Sequence, residues 1–331
     1  MTCRVCDHPD GRTHPARERM FGLRDEFTYF ECGRCGCVQL ADPPADLGRY
    51  YPPTYYSFFP PTAEDGSDRR ASVRRWVMDR RNEAQLFGGG GFWGAMAAVR
   101  PRPDVRLPAF LKPVPGLRFS SRVLDVGCGS GSLLRSLAAT GFRDLTGADP
   151  FIPGDSRPDP AVRLLARPIE SVDDGPYQLV MFHHSLEHMP DQLGALRAAR
   201  RLLGPGGTCV IRVPTASSAV WRTYGTDWVE LDPPRHFFVH THQSLRLAAE
   251  RAGLAVTRID CDSDAFGYWA SEAYRRGLRL MDPDTGAWID TAAHFTPAEL
   301  ARFAERAAAD NTRTDGGRLV AYLSATDGGA T

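Results

Sequence analysis

Along residues 121–325 short apolar runs alternate with stretches whose apolar positions recur every three or four residues. The runs predict strands at Arg122–Val126, Leu145–Asp149, Val162–Ala166, Tyr177–His183 and Thr208–Val213, with helices at about 131–140 and 191–203. Farther on, Gln243–Arg251 and Pro297–Asp310 have helical spacing, and Ala255–Cys261 and Arg318–Ser324 have strand character. Strand–helix alternation of this kind favours right-handed crossovers and a largely parallel sheet covered on both faces.

The pattern before residue 118 is different. Residues 1–47 are polar and cysteine-rich, with strand-like segments at Phe27–Cys32 and Cys37–Leu40. Residues 48–61 (GRYYPPTYYSFFPP) are aromatic and proline-rich, which favours an extended loop. Residues 70–87 have helical spacing, Gly88–Gly91 break it, and five prolines in 100–116 mark a linker. The expected organisation is a four-cysteine module at 1–47, an aromatic and helical lid with linker at 48–117, and a main domain at 118–331. Inserts for an acceptor are expected at 215–240 and 262–296.

Composition narrows the function classes. With 331 residues and 42% hydrophobic content the chain can bury a full core. Its net charge is zero, so no overall basic field draws it to nucleic acid, and RRASVRRWVMDRR is one local basic patch. No apolar stretch has the length of a membrane span, and the first residues lack the apolar centre of a secretory signal. A cytoplasmic, reducing location is therefore expected, and the eight cysteines read as thiols or metal ligands rather than disulfides.

The stretch RVLDVGCGSGSL (122–133) delivers Gly127, Gly129 and Gly131 to the carboxyl edge of a predicted strand, where open α/β sheets bind ligands. Glycines there let a ligand lie against bare main chain. Asp125 precedes the first glycine by two, and Asp149 stands 22 residues after it at the end of the next strand. A carboxylate in that place can accept two hydrogen bonds from a ribose diol.

Cys3-x-x-Cys6 and Cys32-x-x-Cys35 make two knuckles with 25 residues between them, a pattern for a tetrahedral Zn2+ with no open position. Such a zinc would be structural. Cys37, His8 and His14 are substitute ligands, and a rubredoxin-like iron site is the minor alternative.

VLDVGCGSG and GADP resemble the first and second motifs of class I S-adenosylmethionine-dependent methyltransferases. YQLVMFHHSLEHMPD (177–191) and LLGPGGTCVIRVP (202–214) are similar to that superfamily's fourth- and fifth-strand segments. The resemblance implies a Rossmann-like, doubly wound α/β fold with a seven-stranded sheet and an antiparallel last strand, here with a small zinc-ribbon-like module and a helical lid. It implies S-adenosylmethionine as cofactor, with Asp125, Gly127, Cys128, Gly129 and Gly131 around its methionyl part and Asp149 on the ribose. Pro150 and Ile169 would line the adenine slot, and His183 would contact the methionyl end. Arg167 and Pro168 stand where many relatives carry a small acid or asparagine, and Gln178 where aspartate is common.

The four-cysteine module joined to such a core also resembles bacterial methyltransferases of sugars, polysaccharides and secondary metabolites. The C-methyltransferases among them carry Tyr-His-Glu-His where this chain has Pro234-Arg235-His236, keeping only the last histidine. The expected reaction is methyl transfer to an oxygen, with carbon second, of a small polar acceptor such as a sugar or natural-product intermediate. His236 is the preferred general base, with His188 and His184 in reserve; Arg235 is placed to hold an anionic group, and Tyr56 or Tyr55 to line the pocket. Two rival readings are a nucleic-acid methyltransferase with the zinc module as clamp and a non-catalytic cofactor-binding scaffold. An Asp/Asn-Pro-Pro-Tyr/Phe motif is absent from the end of the fourth strand, where HHSL stands instead.

Overall fold

The computed structural model describes residues 1–52, 70–88, 91–99 and 106–326. The chain forms two compact units, the first Met1–Phe59 with Phe182–Arg201 and Cys209–Thr331, the second Pro60–Met181 with Leu202–Thr208. Tyr55 and Tyr56 lie outside the described residues.

Strands β1 (Gly11–Arg17), β2 (Glu26–Cys32) and β3 (Val38–Leu40) open the chain as an antiparallel meander. β1 is the outer strand of its sheet, so Pro15, which has no N–H to donate, is tolerated there. That strand is mostly exposed and polar, and no apolar alternation announced it.

Helices α1 (Arg70–Phe87) and α2 (Gly91–Val99) belong to the second unit. Phe87, the last residue of α1, meets Phe119 and Phe142 edge-on, ring centres 5.5 and 6.2 Å away. The alternating core follows as β4 (Arg122–Val126), α3 (Ser132–Thr140), β5 (Asp144–Ala148), β6 (Ser156–Asp159), β7 (Val162–Leu165) and β8 (Tyr177–His183). Then come α4 (Gln192–Leu202) and β9 (Leu203–Pro214). β4, β5 and β7 are parallel neighbours, and β6 turns back antiparallel on β7. Val123, Leu124, Leu179, Val180 and Met181 have no exposed surface, the signature of strands covered on both faces.

The remainder is α5 (Ala219–Tyr224), β10 (Phe238–Val239), α6 (His242–Arg251), β11 (Leu254–Cys261), α7 (Phe266–Arg275), α8 (Pro297–Thr312) and β12 (Arg318–Ala325). Thr241 with Ser244 and Thr296 with Glu299 form capping boxes that start α6 and α8. β12 runs antiparallel to both β9 and β11, the expected last strand.

Strands β8 and β9 begin in the second unit and end in the first. In the second unit the strand order is β9–β8–β4–β5–β7–β6, and in the first it is β11–β12–β9–β8. Among the described residues the α/β sheet thus has eight strands where seven were expected. The extra one, β6, reads SRPD and is an exposed polar edge without an apolar pattern. The first unit holds a second sheet, β1–β2–β3–β10, in which Val239 pairs with Val38 and Phe238 with Gln39.

Gly147 in β5 lies under the glycine loop. A Cβ there would come 2.5 Å from Cys128 Sγ, 2.8 Å from Cys128 Cβ and 2.9 Å from a Leu164 methyl. Gly147→Ala is therefore expected to lower unfolding stability by about 1–3 kcal/mol through overpacking. Urea denaturation measures this, and an unchanged midpoint would contradict the close packing of that layer.

Candidate active site and metal centre

β4 carries Asp125 into the interior and ends at the glycine loop. Gly127, Gly129 and Gly131 all have positive φ (73°, 51° and 74°), a region that side chains disfavour. The turn is closed by Gly127 N on Ala148 O at 2.7 Å and Gly131 N on Cys128 O at 2.9 Å. Asp149, just beyond β5, accepts from Gly129 N through Oδ2 and from Phe151 N through Oδ1, both at 2.9 Å. It therefore fixes the loop's middle glycine while each oxygen keeps a lone pair for another donor.

Asp125 is 3% exposed, and its Oδ1 is buried with no hydrogen-bond partner. Burial, and secondarily the charge of Asp149, push its carboxyl up to about 8. A buried acceptor lacking a donor, beside main chain that admits close approach, suits a ligand bearing a cationic end. Ile169 is buried in the same unit, Pro150 is exposed, and Arg167 is paired with Asp155 at 2.6 Å. These residues fit S-adenosylmethionine: its ammonium end suits Asp125, and its ribose diol suits Asp149.

In the first unit the four cysteines of the two knuckles converge. Cys3 Sγ lies 3.6 Å from Cys35 Sγ and Cys6 Sγ 3.5 Å from Cys32 Sγ, with all four sulfurs within 4.8 Å of one another. Tetrahedral Zn2+ with bonds of about 2.3 Å needs sulfurs roughly 3.8 Å apart, so the set is dimensioned for it. Cys37 points elsewhere, its Sγ 3.9 Å from His240 Nδ1.

The histidines lie in the same unit. His236 Nδ1 donates to Glu230 O at 2.8 Å, which leaves the Nε2 lone pair available, 3.9 Å from Asp232 Oδ2. His188 packs edge-on against His236, ring centres 4.6 Å apart. Its Nδ1–H is shared between Arg235 O at 3.0 Å and Tyr51 Oη at 3.1 Å. Burial lowers both imidazoles. His188, lowered further by its neighbour His236, falls to about 3, and the Asp232 carboxylate opposes the fall at both rings. Both rings are neutral at pH 7.

His183 and His184 face Arg212. Its Nη1 is 3.2 Å from His183 Nε2 and also contacts His184 Nε2, so the guanidinium occupies those lone pairs. Burial, then Arg212, lowers both rings, His183 to about 4. His184 also has a positive φ of 55°.

Glu187 carries no distinguishing signal in the sequence. It is 2% exposed, neither carboxylate oxygen has a hydrogen-bond partner, and His184 Nδ1 stands 3.5 Å from Oε1. Burial raises it to about 8. Glu187, His188 and His236 bring one ligand-capable atom each within 4.8 Å, a second set able to hold a divalent ion. Arg235 does not serve the acceptor as expected. Its side chain is wholly buried and bonds Asp232 through Nε at 2.9 Å, Glu18 at 3.1 Å and Tyr50 O at 3.2 Å. Arg235 is thus spent on structural partners, whereas His236 next to it keeps the Nε2 lone pair.

The chain is similar to known proteins over part of its length. Residues 98–259 match the family described as Methyltransferase domain. A ubiquinone biosynthesis O-methyltransferase of Sodalis glossinidius is 32% identical over 175 residues, 49% of this chain and 70% of that protein. One from Psychrobacter cryohalolentis is 34% identical over 102 residues, and there the chain spans only 39% of the relative's length. Among solved structures, Burkholderia thailandensis 1,6-didemethyltoxoflavin-N1-methyltransferase, with bound S-adenosylhomocysteine, is 17% identical. The match covers 81% of this chain and 94% of that one, at a TM-score of 0.39.

The chain belongs to the class I S-adenosylmethionine-dependent methyltransferases, and is an enzyme of that kind. Among the described residues no helix is long and apolar enough to cross a membrane.

Asp125 has a pH signature. Its folded-state pKa, about 8, lies above the ordinary 3.8, so the carboxyl favours folding when protonated. That contribution is complete below about pH 4 and is lost as pH rises through about 8. Asp125→Asn is expected to be the more stable chain by about 1–3 kcal/mol at pH 8, with the gap closing towards pH 4. Thermal unfolding of the cofactor-free proteins across that range measures it, and a pH-independent gap would contradict the assignment.

Proposed function

We propose that the enzyme transfers the methyl group of S-adenosylmethionine to an oxygen of a small polar acceptor, a sugar or secondary-metabolite intermediate, with His236 as general base. Oxygen is favoured over carbon by the curated relatives, which are named O-methyltransferases. The base assignment is carried by one observation: His236 Nδ1 is committed to Glu230 O, so the lone pair sits on Nε2, with Asp232 close enough to stabilise an imidazolium.

When bound, the cofactor supplies a methyl group already electrophilic on a sulfonium. The chain's task is to position and to manage one proton. Bare main chain at Gly127, Gly129 and Gly131 admits the methionyl part, Asp125 meets the ammonium and Asp149 the ribose. Cys128, Pro150, Ile169 and His183 complete the proposed contacts. His236 Nε2 takes the proton of the acceptor hydroxyl as its oxygen gains the methyl group, whose bond to sulfur would break and leave a neutral thioether. His188 is the weaker base because burial, joined by the neighbouring His236, lowers it to about 3. The four cysteines hold a structural Zn2+, which helps a small sheet fold and leaves no position for chemistry.

His236→Ala is expected to lower kcat by roughly 100-fold while cofactor affinity stays within about twofold. Undiminished turnover would remove His236 from the chemistry. Asp149→Ala is expected to weaken S-adenosylmethionine by about tenfold or more, because the ribose contact and the Gly129 anchor go together. Isothermal calorimetry reads it, and unchanged affinity would overturn the ribose assignment. Metal analysis should find about one zinc per chain that survives dialysis and is lost when Cys3 and Cys35 are replaced by serine.

A further inference from the structure

The loop that carries His236 is tied along its length to the strands that carry the cysteines. Tyr29 on β2 has no exposed surface, and its hydroxyl donates to His236 O at 2.9 Å. One residue on, Leu40 N donates to Phe237 O at 3.0 Å. Arg4, within the first knuckle, reaches Leu40 O at 2.9 Å and Phe237 O at 3.3 Å, and lies over the Phe238 ring at 4.2 Å. Phe238 and Val239 then pair with β3 as β10. At the end of the loop Thr241 Oγ1 donates to Cys35 O at 2.6 Å.

The same ties lead to the sulfurs. Gln39, the β3 partner of Phe238, donates to Cys3 Sγ at 3.0 Å and accepts from Arg4 N at 3.0 Å. Thr241 grips the carbonyl of Cys35 itself. Of the four candidate ligands, Cys35 is thus one hydrogen bond from the loop that presents the histidine, and Cys3 reaches it through Gln39 and that residue's pairing with Phe238. Four sulfurs held within 4.8 Å need a cation between them once they ionise, or they repel.

We infer that Tyr29 is a positioning residue for His236, and that the metal-loaded four-cysteine centre keeps Tyr29's strand and residues 235–241 in register. The kinetic half of this rests on the base assignment made above; the anchoring half does not. Tyr29 acts through the His236 carbonyl: a hydroxyl bonded there fixes the backbone from which the imidazole projects. The side chain itself is fixed separately, by Glu230 O. Displacing the carbonyl tilts the ring away from its acceptor, while Asp125, the glycine loop and Asp149 are carried by other elements, β4, the turn after it and the residue just beyond β5.

The test uses the full-length, zinc-loaded chain with Tyr29→Phe, which keeps the ring and removes the hydroxyl, alongside wild-type chain stripped of metal by a chelator. Hydrogen exchange at 235–241 is expected to quicken roughly tenfold in both, with little change at 122–131. Tyr29→Phe is further expected to lower kcat about tenfold, with the KM for S-adenosylmethionine and the zinc content unchanged. If stripping unfolds the whole first unit, Tyr29→Phe alone decides. Exchange at 235–241 that stays at the wild-type rate in Tyr29→Phe overturns the anchoring, whatever the kinetics. Quickened exchange with unaltered kcat supports the anchoring and overturns the positioning role, and His236→Ala shows independently whether the base assignment has failed.

Discussion

A guanidinium with no exposed surface stands between two carboxylates in the first unit: Arg235 between Asp232 and Glu18. Charges taken that far from water are costly, and removing one partner of such a group typically costs about 3–5 kcal/mol. The geometry meets that cost. Glu18 also accepts Phe21 N and Leu23 N, so its oxygens are engaged on both sides. The three residues join the strand that follows the first knuckle to the loop of His236. Both the orientation of His236 and the closure of the small sheet presuppose this knot.

The second unit uses the opposite device. Asp125 is left without a partner on one oxygen, and the fold tolerates it because the carboxyl can hold its proton. Arg235 is buried fully paired, and Asp125 is buried incompletely paired. The first arrangement specifies structure, and the second leaves an interaction for a ligand to complete. Asp149 stands between these extremes, fixing Gly129 and Phe151 yet keeping lone pairs open.

Much of this was legible in the sequence. The apolar runs located β4, β8 and β12 to within a residue because those strands are buried on both faces, and burial leaves a pattern. β1 and β6 carried no such pattern, since each is a polar edge. The glycine loop and the paired cysteines were legible because chemistry constrains spacing. The role of Arg235 was not: a charged side chain beside paired prolines looks like a ligand contact until its partners, Glu18 and Tyr50, are brought in from far along the chain. Glu187 was passed over for a similar reason, as its isolation from donors appears only in three dimensions. Of the two described tyrosines there, Tyr50 and Tyr51, the second lies against a histidine, His188.

The pairing of β3 with β10 sets an order of events in the making of the protein. Val38 waits for Val239, so the small sheet keeps a bare edge until some two hundred further residues have left the ribosome. Through that interval the knuckles are reactive thiols on an unfinished scaffold, open to oxidation or to a foreign strand. A metal ion captured early would hold the four thiols together while that edge is still open.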